Sequence, residues 1–324
     1  MRRKKEIIIK MRAKIKDFSP KDKADLILRL TDIQFRKTTA NDDYGSMLGF
    51  DGTDLIEVKF WKLKEEDKQL LVNGEIYYLS GTMKEYQGKM QFNVSEYRKI
   101  IDEDQVKIDD FYEKARISAE ELEKIIFSYI EKIDNEVIKK IITRIISLYA
   151  KEYFNYPAAM TMHHNYYSGL AYHIYSMLRA SDAYLEIYPY LNKSLVYGGI
   201  IIHDLGKLIE LSGPKGTEYT KKGNLLGHIP IGFAIINQIA SSMGFEETEE
   251  VLALEHILLS HHGLLEYGSP KEPIISEAML IYLLDYADSR LAALEKEVVT
   301  TEKGSYTNPI MALDRKSFYI PDID

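Results

Sequence analysis

The rhythm of apolar and polar positions changes about a third of the way along the chain. Before residue 100 the apolar residues come in short runs separated by Gly, Asn and Asp. Residues 24–33 are rich in Leu and Ile and lead through Phe35, Arg36 and Lys37 to a polar tip at 38–45. Runs at 47–50 and 55–61 are split by Asp51-Gly52, and in the second Ile56, Val58 and Phe60 alternate with Leu55, Glu57 and Lys59. Asn73-Gly74 introduces a run at 76–81, and Gln87-Gly88 separates it from a last run at 90–94. A helical segment is predicted at 65–71. Five or so short strands at this spacing predict a small β-barrel.

From residue 117 the period becomes that of a helix. Ser118 and Glu121 form a capping box. Ile125, Ile126, Tyr129, Ile130 and Ile133 follow, and Val137, Ile138, Ile141, Ile142, Ile145 and Ile146 continue the stripe. Further helices are predicted near 168–186, 194–211, 229–243, 246–261 and 275–295. The charged stretch 101–116 reads as a linker. The predicted organisation is multi-domain α and β: a barrel domain at 1–100, a linker at 101–116 and an all-α domain at 117–324.

Composition narrows the class. Of 324 residues, 45% are apolar and 28% charged, as in soluble globular proteins. No apolar run approaches the ~18 residues that cross a bilayer, so no membrane partner is expected. The basic start carries only three consecutive isoleucines, too few for a signal peptide, and a cytoplasmic location is expected. The absence of cysteine leaves only His and carboxylate to hold a metal. The first 100 residues hold 21 basic and 16 acidic side chains, and the remainder 21 and 34. A basic front on an acidic protein hints at a polyanion for the first part.

The segment 49–61, GFDGTDLIEVKFW, resembles the D-x-(T/S)-G-x-I-x-(A/V)-x-x-W stretch of OB-fold proteins that bind single-stranded nucleic acid. Asp54 stands where that group has glycine. Phe35, Phe60, Trp61, Tyr86 and Phe92 are candidates to stack on bases, and Arg36, Lys37, Lys59, Lys62, Lys84 and Lys89 to track phosphates. Half of those aromatics must fill the barrel instead.

The chemistry is expected in the helical part, where all eight histidines lie within 163–262. The apolar stretch 195–202 ends in His203-Asp204-Leu205-Gly206-Lys207. A carboxylate at the end of a buried helix is costly unless a cation meets it, and a neighbouring imidazole makes a metal the economical explanation. His173 lies on the apolar face of its own helix, between Leu170 and Met177. Asp285 follows the apolar run 279–284. His173, His203-Asp204 and Asp285 spell H…HD…D, the signature of the HD superfamily of all-helical phosphohydrolases.

That resemblance implies a metal centre of His173, His203, Asp204 and Asp285. In its two-metal members it implies a second ion held by His228, His261 and His262, with Asp204 bridging. Asp204 and Lys207 are then the catalytic candidates, Lys207 standing one turn from Asp204 to meet a phosphate oxygen. His256, on another face of its helix, is read as a packing residue. Asp288 either orients a ligand or pairs with Arg290 or Arg315 on the surface. His163 and His164 either donate to substrate phosphate or form an exposed loop pair, and His164 is carried as a nucleic-acid-binding candidate.

The order OB-fold then HD domain, together with SHHGLLEYGSPKEPIISEAMLIYLLDYADSRLAAL, is similar to the YhaM-type 3′→5′ exoribonucleases. Two positions depart from that family's motifs. Ser168 replaces the first glycine of HH-x-Y-x-G-G-L-x-x-H, and Ser289 the alanine of D-x-x-D-A-(K/R). No GYP follows His261-His262, which counts against a cyclic-di-GMP phosphodiesterase. The resemblance implies hydrolysis of single-stranded RNA to nucleoside 5′-monophosphates with two divalent ions. It implies manganese, and iron, cobalt or zinc suit the same ligands. Single-stranded DNA as a further substrate and self-association stay open. Two other readings are a phosphohydrolase of free nucleotides and a non-catalytic RNA-binding adaptor.

Overall fold

The computed structural model describes residues 13–38, 42–86, 88–112, 114–158, 166–214 and 217–323. The chain forms two compact units, Met1–Glu113 and Lys114–Asp324.

The first unit is a closed five-stranded barrel. Its strands are β1 (Lys23–Lys37), β2 (Asp43–Phe50), β3 (Leu55–Trp61), β4 (Ile76–Tyr86) and β5 (Lys89–Lys99), with helix α1 (Glu65–Leu70) between β3 and β4. The order around the barrel is β1-β2-β3-β5-β4, and β3 runs parallel to β5. Period-two alternation decides what fills it: Ile56, Val58 and Phe60 point inward with Leu26, Leu28, Met47, Leu79, Met83 and Phe92. The 51–54 turn is fixed by one carboxylate. Asp51 is buried and accepts the backbone N–H groups of Ile15 (2.7 Å), Thr53 (2.7 Å) and Asp54 (2.9 Å). Burial would raise its pKa, but those donors hold it below the usual carboxylate range.

The segment read as a linker is in part packed on this barrel. Phe111 is fully buried against Ile27 and Ile76. An apolar side chain inside an otherwise charged stretch is the reason it does not stand free.

The second unit is helical: α2 (Ala119–Glu131), α3 (Glu136–Asn155), α4 (Gly169–Ile187), α5 (Lys193–Ile202), α6 (Lys207–Glu210), α7 (Lys221–Leu226), α8 (His228–Ser242), α9 (Glu249–Ser260) and α10 (Ser276–Val298). Ser118 caps α2 by accepting the Glu121 N–H at 3.2 Å. Helix α5 is the hub. It contacts α3, α4, α9 and α10, and residues 196–202 are all buried, which is why that stretch carries no polar face. The predicted single helix over 194–211 is in fact two, because the chain turns at 203–206 before α6 begins. That turn sets His203 and Asp204 at the buried end of α5. Among the described residues no helix is long and apolar enough to cross a membrane.

Candidate metal centre

Imidazoles from four helices converge on Asp204, and a fifth helix brings a carboxylate beside one of them. The Asp204 Oδ2 lies 3.4 Å from His203 Nε2 and 3.9 Å from His173 Nε2 of α4. Its Oδ1 lies 3.8 Å from both His228 Nε2, at the start of α8, and His261 Nε2, at the end of α9. The two oxygens of one carboxylate therefore face different histidine pairs. Asp285 of α10 approaches His173 Nε2 at 3.3 Å. Two groups of possible ligand atoms are compact enough for one ion each: His173, His203 and Asp204, and His228, His261 and His262.

Each ring is turned by a bond at its other nitrogen. His203 Nδ1 donates to the Ile200 carbonyl at 2.8 Å, His261 Nδ1 to Leu258 at 2.7 Å, and His262 Nδ1 to Tyr267 at 2.9 Å. A carbonyl only accepts, so the proton sits on Nδ1 and the Nε2 lone pair faces the centre. His173 and His228 are held by carboxylates instead. Asp288 Oδ2 is 2.6 Å from His173 Nδ1, and Glu210 Oε2 is 3.3 Å from His228 Nδ1. Such outer carboxylates orient metal-binding histidines and raise their basicity.

Electrostatics keep two of the histidines ready to ligate and leave a third protonated in the metal-free protein. Burial and repulsion from neighbouring imidazoles hold His261 well below, and His262 below, their ordinary pKa, leaving both neutral. Burial would lower His173 too, but its bonds to Asp285 and Asp288 push it up to about 10. Burial alone would raise Asp204, yet the Lys207 ammonium at 2.7 Å and His203 keep it well below the carboxylate range. Asp285 is lowered through His173, against the effect of its burial.

The donors test positively for a cation. His203 Nε2, His228 Nε2, His261 Nε2 and Asp204 Oδ1 are buried with no hydrogen-bond partner. An unsatisfied buried polar atom costs ~1–3 kcal/mol, so four converging on one point make sense as ligands rather than as packing. Imidazole and carboxylate together suit divalent transition metals.

Comparison with known proteins accords with this geometry. A model of the HD domain matches residues 170–290, and one described as an OB-fold nucleic acid binding domain matches residues 50–100. A protein named 3′-5′ exoribonuclease YhaM from Geobacillus sp. (strain WCH70) is 40% identical over 84% of this chain and 83% of its own length. Its namesake from Listeria monocytogenes (strain EGD-e) is 35% identical over 97% of this chain and 100% of its own. The chain belongs to the YhaM family. A third YhaM protein, from Bacillus pumilus, is 39% identical over 82% of this chain and 84% of its own length.

All seven ligand candidates and Lys207 thus fall in one place in this YhaM-family chain. Three further histidines stand outside the set of ligand candidates. His256 accepts the Ile274 N–H at 3.1 Å. His163 and His164 lie outside the described residues. Sequence reasoning does not single out Glu210; its available signal is a carboxylate flanked by Leu208, Ile209 and Leu211.

On the barrel the nucleic-acid candidates divide. Phe35, Trp61 and Tyr86 are exposed, as are Lys37, Lys84 and Lys89. Trp61 is stacked on Tyr44, with centroids 5.2 Å apart and planes 20° off parallel, and its Nε1 donates to Asn93 Oδ1 at 3.1 Å. Tyr44, missed in the sequence, sits directly across β2–β3 from Trp61. Phe92 is a correction. It is 0% exposed, paired with Val58 and Met83 on the inward face, and fills the core rather than meeting a base. Phe60 is buried for the same reason. Lys59 is largely buried, paired to Glu57 at 2.5 Å and donating to Ser46 Oγ at 2.9 Å, so its charge is already matched.

Proposed function

We propose that the chain is a metal-dependent 3′→5′ exoribonuclease that shortens single-stranded RNA to nucleoside 5′-monophosphates. The observation that carries the chemistry is the split of Asp204, with Oδ2 toward His173 and His203 and Oδ1 toward His228 and His261. Similarity over most of the chain to proteins named 3′-5′ exoribonuclease supports the substrate and the direction.

We propose that His173, His203, Asp204 and Asp285 would hold one ion, and that His228, His261 and His262 together with Asp204 would hold a second. Manganese is the assigned metal. Divalent cations held there supply Lewis-acid charge to the scissile phosphodiester and activate water near neutral pH.

The chain's own residues do the rest. Asp288 and Glu210 lock His173 and His228 in the orientation that ligation needs. Lys207 carries a permanent charge at the edge of the centre, where a phosphate oxygen of the substrate meets it. The barrel unit holds the upstream strand: the Tyr44–Trp61 pair is a ready stacking platform, and Lys37, Lys84 and Lys89 meet phosphates. Tethering the strand to the hydrolytic unit raises its effective concentration after each cut.

The test is 5′-labelled single-stranded RNA with and without Mn²⁺, using wild type and Asp204→Ala. Stepwise shortening from the 3′ end that needs the metal and disappears in the variant is expected. Intact RNA alongside hydrolysis of free nucleotides would overturn the reading, as would RNA binding without hydrolysis.

A further inference from the structure

A cavity of about 220 Å³ opens directly off the metal centre. Its lining joins Lys207, His262 and Asp285 of the metal centre to three tyrosines, Tyr267, Tyr282 and Tyr286. None of the three tyrosines belongs to the ligand set, and the mechanism above makes no use of them.

The aromatic wall is built, not incidental. Tyr282, Tyr286 and Arg290 recur every four residues along α10, with Asp285 and Ser289 on the adjoining rows, so the helix that supplies Asp285 also supplies the wall. Tyr282 lies so close to the backbone after His261-His262 that a Cβ on Gly263 would come within 2.3 Å of its ring, and Gly263 has φ +80°. Tyr286 meets Tyr282 edge-on at 6.0 Å, and the Arg290 guanidinium sits 4.2 Å from the Tyr286 ring centre. Tyr267 contributes twice: its carbonyl orients His262 and its ring lines the cavity. Ala312, in a short turn at Met311–Leu313 that packs on α10, completes the lining.

The size and chemistry select the occupant. At 220 Å³ the space falls below the ~300–1,000 Å³ of sites for drug-sized ligands, so it takes a single base with its sugar, the phosphate lying outside it, rather than a run of nucleotides. Phenol rings offer π-faces to any base, and stacking of this kind is tolerant of base identity. Lys207 adds positive charge for a phosphate beside the metal ligands, and Arg290 backs the Tyr286 ring.

We propose that this cavity is the subsite for the terminal nucleoside of the strand, with its base stacked on Tyr286 and the Ala312 turn as a backstop. It rests on the exonuclease reading and deepens it. A pocket with room for one unit makes cleavage remove one nucleotide at a time, and an aromatic wall makes that removal indifferent to sequence.

The experiment uses the metal-loaded full-length protein as wild type, Tyr286→Ala and Tyr286→Phe. Its substrates are 5′-labelled RNAs ending in an ordinary nucleotide or in an abasic one, with AMP as a binding probe. Wild type should lose ~10-fold in kcat/KM on the abasic end. Tyr286→Ala should lose a similar factor on the ordinary end, show no further loss on the abasic one and bind AMP ~10-fold more weakly. Tyr286→Phe should match wild type. Equal slowing of both substrates by Tyr286→Ala would overturn the subsite, and so would shortening of RNA with AMP binding untouched by that change. RNA left intact by wild type that still binds AMP through Tyr286 would uphold the cavity's role and overturn the exonuclease reading instead.

Discussion

Replacing Gly206 with alanine probes how the centre is assembled. Gly206 has an ordinary helical φ of −64°, so glycine is not needed for its backbone conformation. It is needed for space: a Cβ there would lie 1.8 Å from the carbonyl oxygen of His228 and 2.8 Å from its Cα. Reaching even a tight 3.0 Å contact requires the start of α8 to retreat by about 1.2 Å. His228 Nε2 stands 3.8 Å from Asp204 Oδ1, and a retreat of that size removes it from any shared ion. A misplacement of about 1 Å can cost ~100-fold in rate. Gly206→Ala should therefore fold, by circular dichroism, with the ligands of α4 and α5 in place. Metal analysis should show the His228-side ion lost or weakened, and RNA shortening should fall ~100-fold. Wild-type metal content together with a wild-type rate would refute the argument that Gly206 exists to admit α8.

Three further outcomes follow from the same geometry. Asp288→Asn keeps the shape but removes the carboxylate that holds His173, and metal affinity should drop ~10–100-fold in a chelator competition; unchanged affinity would reduce Asp288 to a surface role. In the metal-free protein His173 is pushed up to about 10, so at pH 8 it carries a proton that a bound cation must expel. Calorimetry in buffers of different ionisation enthalpy should find ~1 proton released per protein at that pH, and none would contradict the Asp285–His173–Asp288 arrangement. The sign for stability is opposite to that for metal affinity. A raised folded pKa stabilises the metal-free protein fully below about 6.5, and the contribution fades as pH rises toward about 10. Trp61→Ala should weaken single-stranded RNA binding ~10-fold while leaving hydrolysis of a small phosphodiester intact; equal loss on both substrates would place Trp61 in folding rather than in binding.

Much of this was legible in the sequence, and the reasons are physical. A buried helix with no polar face that ends in His203-Asp204 has few explanations besides a cation, and the structure buries both residues at the end of α5. The 51–54 turn was recognisable from Asp51-Gly52, and the structure adds that the aspartate serves three backbone donors there. What escaped is what depends on partners distant in the chain. Phe92 could not be told from an outward aromatic because its face depends on its register with β3 and β4. Asp288 had two open roles until α10 was laid against α4. Ser168, where the related motif has glycine, sits at φ +62° just before α4, a left-handed position that explains the glycine and that serine here occupies. Glu210 works through His228 and Tyr44 through Trp61, partners far along the chain, so their roles emerge only once the fold brings each pair together.

The whole reading of the site turns on one carboxylate, Asp204, joining two ions. Electron paramagnetic resonance of the Mn²⁺-loaded protein tests it most directly. Wild type should bind two ions per chain and give an exchange-coupled signal, which collapses to the hyperfine pattern of an isolated Mn²⁺ in His228→Ala. An isolated-ion signal from fully loaded wild type would contradict it.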